Sequence, residues 1–197
     1  AIKLETASPF TWASGWQSPI YCDNRKTLSY PGIRDFIRDR FVEVIRKNFP
    51  GTELIAGVAT GGIAQGALVA DQLSLPFVYV RSAPKSHGLE NLVEGVIESG
   101  QKTVVIEDLV STGGSSLKAV NALKHSGANI LGLIAIFTYG FRESEKNFHE
   151  AGVPLHTLCD YESLIEEALD KNYISPEQVE ILREWSNNPS EWTGMKQ

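Results

Sequence analysis

The chain has 197 residues, 42% of them apolar and 21% charged, the composition of an ordinary globular domain with room for one sizeable core. Its formal net charge of −6, from 18 Lys and Arg against 24 Asp and Glu, argues against a general nucleic-acid binder. No apolar run is long enough to span a bilayer and no signal-like segment opens the chain, so a cytoplasmic protein with no membrane partner is expected.

In chain order, the Ser-Gly and Ser-Pro pairs between Phe10 and Arg25 read as turns around a short strand. Ile33, Phe36, Ile37, Phe41, Val44, Ile45 and Phe49 then recur at three- and four-residue steps between Pro31-Gly32 and Pro50-Gly51, which predicts an amphipathic helix with breakers at both ends. Residues 53–58 read as a strand, 62–73 as a helix and 76–81 as a second strand. The apolar β-branched run 103–106 predicts a buried strand ending in Glu107 and Asp108. A small-residue loop, 111–115, and a helix over 115–125 stopped by Gly127 follow it. A long apolar strand over 130–137, a polar helix over 142–150 and a short strand over 153–158 come next. An amphipathic segment at 161–170 and an N-capped helix from Ser175-Pro176-Glu177 close the chain; Trp185 and Trp192 there read as packing residues.

Strands alternating with helices imply one α/β domain over 1–197, a mostly parallel sheet covered on both faces. Ligands in such sheets bind beyond the carboxyl ends of the strands, where Glu107 and Asp108 are expected. Cys22 and Cys159 are too few for a disulfide framework and lack metal-site spacing, so each is expected to be a small core residue. Since the chain opens on Ala1 rather than Met, a short N-terminal piece is expected to be missing or removed.

Residues 103–115, TVVIEDLVSTGGS, carry the most chemistry. Backbone N–H groups of a Gly/Ser/Thr loop at a helix N-terminus converge on an anion, and Gly113 with Gly114 lets the backbone approach it. Two carboxylates beside a phosphate would repel it unless they serve another partner, either sugar hydroxyls or a divalent cation carried by the substrate. A phosphorylated sugar is therefore expected. The loop has no lysine for a Walker motif and no G-x-G-x-x-G, which speaks against an NTPase and a dinucleotide site. An ordinary strand and glycine turn would account for 103–106, but not for the acids placed before five small residues.

Three further segments bear on the site. Arg81, Lys85 and His87 form a basic cluster on a loop with Gly88 and Gly95, which suits a diphosphate; alone it reads as a solvated surface loop. Residues 57–64, GVATGGIA, follow a strand and offer the N–H groups of Thr60, Gly61 and Gly62. In residues 10–25, FTWASGWQSPIYCDNR, Trp16 and Tyr21 are candidate stacking surfaces, with core packing the commoner role.

The pattern at 103–115 resembles the phosphoribosyl pyrophosphate (PRPP) signature of type I phosphoribosyltransferases: apolar residues, two acids, then a T-T-G-G-S-like loop. The order R-x-x-x-K-x-H-G at Arg81, Lys85, His87 and Gly88 resembles the catalytic loop of the orotate phosphoribosyltransferases, with Ser82 where many members carry a second base. S-G-x-x-S-P-x-Y followed by D-x-R resembles their orotate-recognition region, with Ala13 where many members carry a lysine; in the 57–64 segment, Gly61 stands where some relatives carry one. The resemblance covers nearly the whole chain. It implies the type I phosphoribosyltransferase fold with a small N-terminal hood over 1–30 and a mobile catalytic loop over 81–95.

It also implies roles. Ser111, Thr112, Gly113, Gly114 and Ser115 would take the ribose 5-phosphate, flanked by Leu109 and Val110, and Glu107 with Asp108 the ribose. Arg81, Lys85 and His87, with Thr60, Gly61 and Gly62, would take pyrophosphate. Ser14, Gly15, Tyr21, Ser111 and Arg142 would meet orotate. Arg81, Lys85, His87 and Asp108 would be catalytic. Mg²⁺ would be held mainly by PRPP, with Glu107 and Asp108 nearby and no direct protein ligand. A homodimer sharing its catalytic loops across the interface is implied as well. A PRPP-dependent purine or uracil enzyme, or a PRPP-sensing regulator, is the alternative.

Overall fold

The computed structural model describes residues 2–5, 8–12, 15–83 and 92–193. Four short strands come first: β1 (Ile2–Leu4), β2 (Phe10–Thr11), β3 (Gln17–Ser18) and β4 (Ile20–Cys22), joined as two antiparallel pairs, β1 with β4 and β2 with β3. A 3-10 turn, Asn24–Ser29, leads into α1 (Pro31–Asn48). The body then alternates: β5 (Leu54–Val58), α2 (Gly61–Leu73), β6 (Phe77–Val80), β7 (Val93–Glu94), β8 (Lys102–Val110), α3 (Gly114–His125), β9 (Asn129–Thr138), α4 (Arg142–Glu150), β10 (Leu155–Asp160), α5 (Tyr161–Asp170) and α6 (Pro176–Asn187).

The six-stranded sheet has the order β10-β9-β8-β5-β6-β7, parallel except at the β6–β7 edge. Strand periodicity divides its core. Ala56, Val105, Leu133 and Ala135 face α3 and α4, where they meet Val120, Leu123 and Phe148. Ile55, Val104, Ile106 and Ile134 face α1 and α2, where they meet Ile37, Phe41, Val42, Ile45, Val69 and Ala70. Burying both faces is why these strands read as unbroken apolar runs. A third cluster, with Trp185, Tyr139, Phe141 and Tyr161 at its centre, fastens the N-terminal strands to α5 and α6.

Several expectations need correction. The signature strand does not stop at the acids: β8 runs on through Glu107 and Asp108 to Val110, because the longer β9 keeps pairing with it as far as Val110↔Thr138. The helix after it starts at Gly114, so the loop is only Ser111, Thr112 and Gly113. The last strand of the sheet is shifted to Leu155–Asp160. Of the predicted α1 stripe, Ile33 and Phe36 are half exposed or more, whereas Ile37, Phe41 and Ile45 are buried. Cys159 lies exposed on β10 and is no core residue. The C-terminal helix has the expected start: the Ser175 hydroxyl accepts from Gln178 N–H, and the Gln178 amide oxygen accepts from Ser175 N–H. Among the described residues, no helix is long and apolar enough to cross a membrane.

Candidate active site

The sheet reverses its winding between β5 and β8. From β5 the chain moves outward to β6 and β7, and from β8 to β9 and β10 on the other side. A crevice opens at such a reversal. Here its start is set by register: β5 pairs with β8 only as far as Gly57↔Ile106, while β8 continues for four more residues along β9. From Glu107 onward, one edge of β8 is therefore unpaired by β5. A cavity of about 300 Å³ occupies that gap. One wall is the turn Val58 to Gly61, another is Glu107, Asp108, Leu109 and Ser115, and the third is Cys22, Asp23 and Arg25.

Two helix N-termini meet this crevice. After β5, α2 begins at Gly61, and the Ala59–Thr60 peptide bond just before it is cis. A Cβ at Gly62 would run into the Ile106 carbonyl oxygen, so the absence of a side chain is what lets α2 sit against β8. After β8, Gly113 caps α3 with φ +85°, a left-handed conformation that glycine takes without penalty. Asn147 of α4 fixes this loop by donating from Nδ2 to the Thr112 carbonyl at 2.9 Å. Unpaired N–H groups at both helix starts make two anion-binding positions, with the carboxyl groups between them.

The two acids are not equivalent. Glu107 is 5% exposed. Its Oε1 accepts from the Asp108 N–H at 2.9 Å and its Oε2 from the Ser116 hydroxyl at 3.1 Å. Burial first, and then the neighbouring Asp108 carboxyl, push its pKa well above the usual carboxylate range. Asp108, half-buried, is the acid more open to a ligand. Its carbonyl oxygen accepts from Asn24 Nδ2 at 2.8 Å, which ties the N-terminal segment to the crevice.

A carboxyl whose pKa is raised by folding adds stability below its unfolded value of about 4.3 and loses it as pH climbs through the raised value. Glu107→Gln, neutral at every pH and similar in shape, should therefore gain in melting temperature relative to the parent as pH rises from about 4 toward 8. A difference that stays constant across that range would mean that Glu107 ionises as it does in water.

The remaining expected site residues fall as follows. Ser115 lines the cavity, and Ser111 and Thr112 are half-buried in the loop beside it. Leu109 lines the cavity, but Val110 is fully buried and its carbonyl oxygen already accepts from Tyr139 N–H and the Thr138 hydroxyl. Thr60 and Gly61 line it, and Gly62 is buried behind them. Arg81 is held at the β6–β7 edge: its N–H donates to the Leu92 carbonyl at 2.8 Å and its Nη1 lies 3.6 Å from Glu94 Oε1. Tyr21 is 41% exposed and rests against Phe10, on the opposite face of β4 from Cys22. Gly15 is exposed in a turn, its N–H donating to the Trp12 carbonyl. Arg142, exposed at the start of α4, borders a separate cavity of about 220 Å³ with Trp16 and Phe141. Ser14, Lys85 and His87 lie outside the described residues.

Sequence reasoning missed Asn24, Ser116 and Asn147, which position the acids and the loop, and gave no separate role to Asp23 and Arg25; Cys22, expected in the core, is half-buried and lines the cavity. The Cys22 thiol, pushed up to about 12 mainly by burial, is a neutral wall group.

Residues 27–170 match the model of the phosphoribosyl transferase domain. The chain is 62% identical over 192 residues to an orotate phosphoribosyltransferase of Porphyromonas gingivalis, covering 98% of this chain and 91% of that one. The chain belongs to the orotate phosphoribosyltransferase family. A solved orotate phosphoribosyltransferase from Aeropyrum pernix superposes with TM-score 0.75 at 27% identity, covering 85% of this chain and 92% of that one. UMP synthase of Leishmania donovani shares the fold, with TM-score 0.79 at 22% identity; the match covers 94% of this chain and 39% of that longer one. The α/β architecture with its mostly parallel sheet is thus that of the phosphoribosyltransferases.

Proposed function

We propose that the protein is an orotate phosphoribosyltransferase of de novo pyrimidine (UMP) synthesis, acting in the cytoplasm. It transfers phosphoribosyl from PRPP to N1 of orotate, giving orotidine 5′-monophosphate and pyrophosphate. One observation carries this reading: a half-buried carboxylate, Asp108, lies in the crevice where two helix N-termini suited to anions meet. A ligand with hydroxyls in its middle and phosphates at both ends fits that order, and PRPP has it. The 62% identity over nearly the full length supports orotate as the acceptor.

The loop Ser111–Gly113 with the α3 N-terminus takes the 5-phosphate, and Asp108 takes the ribose hydroxyls, braced by Glu107. The turn at Thr60 and the α2 N-terminus take the pyrophosphate, joined by Arg81, Lys85 and His87. The C1–O bond to pyrophosphate breaks with its electron pair leaving on the phosphate oxygen, while N1 of orotate gives up its proton to solvent and supplies the pair for the new bond. Positive charge gathers on the ribose ring meanwhile, and Asp108 favours it. The bases neutralise the departing pyrophosphate, and His87, whose ordinary pKa is near 6.5, is suited to lend it a proton.

Among the described residues, no group of three or more His, Cys, Asp or Glu is placed to hold a metal ion. The cavity instead offers separate carboxylates, Asp23, Glu107 and Asp108. Hard oxygen donors of this kind suit Mg²⁺ that would be held chiefly by substrate phosphates, with Glu107 and Asp108 nearby. When bound, Mg²⁺ would offset charge on the pyrophosphate.

The ultraviolet absorbance of orotate should change when PRPP and Mg²⁺ are added with the protein, and that of adenine, hypoxanthine or uracil should not. Turnover of one of those bases instead would reassign the acceptor, and no pyrophosphate release with any base would favour a regulator.

We propose a homodimer with shared catalytic loops. The exposed Tyr30, Ile33 and Phe36, an apolar surface along the start of α1, support an interface there. Mixing inactive Lys85→Ala and Asp108→Ala subunits should restore part of the activity, because each hybrid retains one intact site. No recovery would contradict sharing.

A further inference from the structure

The charges around the cavity do not suit a polyanion as they stand. Asp23, Glu107 and Asp108 line it, and Arg25 is the one cation among its described lining residues. Asp23 Oδ1 accepts from Arg25 Nε at 2.7 Å. That contact orients the guanidinium from one side and leaves both Nη groups, four N–H donors, for another acceptor. Asp108 lines the same cavity as Arg25. Thr60 and Gly61, at the start of α2, line the same cavity. With glycine at 61, that turn supplies no basic side chain, and the Asp108 carboxyl group lies where a Cβ there would be.

We propose that Arg25 binds the diphosphate of PRPP from the hood side, together with the α2 N-terminus, with Asp23 holding its guanidinium in position. The inference rests on the functional reading above and deepens it. Three features favour the diphosphate over the orotate carboxylate. The cavity that Arg25 lines includes the turn at Thr60 and Gly61 and, among its described lining residues, no aromatic ring. A planar fork matches phosphate oxygens in pairs. The flat walls suited to a ring, Trp16 and Phe141, border the other cavity.

The test compares parent, Arg25→Gln, Arg25→Lys and Asp23→Asn by initial rates with PRPP and orotate varied separately, and by calorimetric titration of pyrophosphate with Mg²⁺. Arg25 is half exposed, so melting temperatures should stay level across the set. Arg25→Gln should weaken PRPP, read as KM, and pyrophosphate by about 10- to 100-fold, the range of a paired charge-assisted contact. The KM for orotate should move less than about twofold. Arg25→Lys should recover part of the loss, and Asp23→Asn should lose less than Arg25→Gln. Unchanged PRPP and pyrophosphate affinities in Arg25→Gln, or a raised KM for orotate alone, would overturn the assignment and leave the enzyme's identity standing. A parent protein that binds neither PRPP nor pyrophosphate would overturn the functional reading, and this inference with it.

Discussion

Asp108→Asn should lower kcat by about 10²- to 10³-fold, the usual loss when one preorganised electrostatic contact to a transition state is removed. The substitution keeps the side chain's size, and the contact that fixes the backbone here, Asn24 Nδ2 to the Asp108 carbonyl, is untouched. What is lost is negative charge at the point where β8 has left β5 and faces the cavity. That charge matters most when the ribose ring is most positive, so kcat should fall more than the KM for PRPP rises. Glu107→Gln should cost less activity than Asp108→Asn. The Glu107 carboxyl is buried, hydrogen-bonded to Ser116 and the Asp108 N–H, and already biased toward its neutral form. Initial rates for both variants decide the matter. Equal losses would mean that the two acids share one role, and an Asp108→Asn rate within about threefold of the parent would remove Asp108 from the transition state.

Trp185→Ala should cost about 3–5 kcal/mol of folding stability, the range for truncating a large aromatic in a packed core. Trp185 is fully buried, with the rings of Trp12, Tyr139, Phe141 and Tyr161 all within 5.3 to 5.6 Å of its centroid. Its Nε1–H donates to the Gln17 carbonyl at 3.0 Å, so the same residue that fills the cluster also fastens β3 to α6. For a domain of this size the loss corresponds to a melting temperature lower by roughly 6–20 °C. Trp185→Phe keeps most of the ring area and gives up the hydrogen bond, and should fall well short of that loss. Urea unfolding of the three proteins checks the order. A Trp185→Ala protein within about 1 kcal/mol of the parent would mean that the N-terminal strands are not anchored through this cluster.

Legibility followed the range over which each feature is determined. The buried strands and α1 were readable because local pattern and tertiary burial agree: apolar runs where both sheet faces are covered, and three- and four-residue steps between proline breakers. The Ser175 cap was readable because it is contained in four residues. The full length of β8 was not, since its last residues, Glu107 to Val110, owe their strand geometry to β9. The hood strands and β7 are two or three residues long, too short for any period to show.

Within the site, the phosphate loop and the acidic pair were legible as a motif, but the difference between Glu107 and Asp108 was not. Adjacent strand residues point to opposite faces, and only the packing of Ser116 against one of them separates a buried brace from an open carboxylate. Asn24 and Asn147 act on partners 84 and 35 residues away, and nothing near them in sequence marks that. Arg25 reads locally as the partner of Asp23; its place in the cavity depends on the meeting of the hood with β5 and β8.

Calorimetric titration of PRPP into the protein with excess Mg²⁺ tests most directly whether the crevice between β5 and β8 is a PRPP site. Saturable binding at one site per chain, weakened when pyrophosphate is already present, is the predicted result. No heat of binding at millimolar PRPP would contradict it.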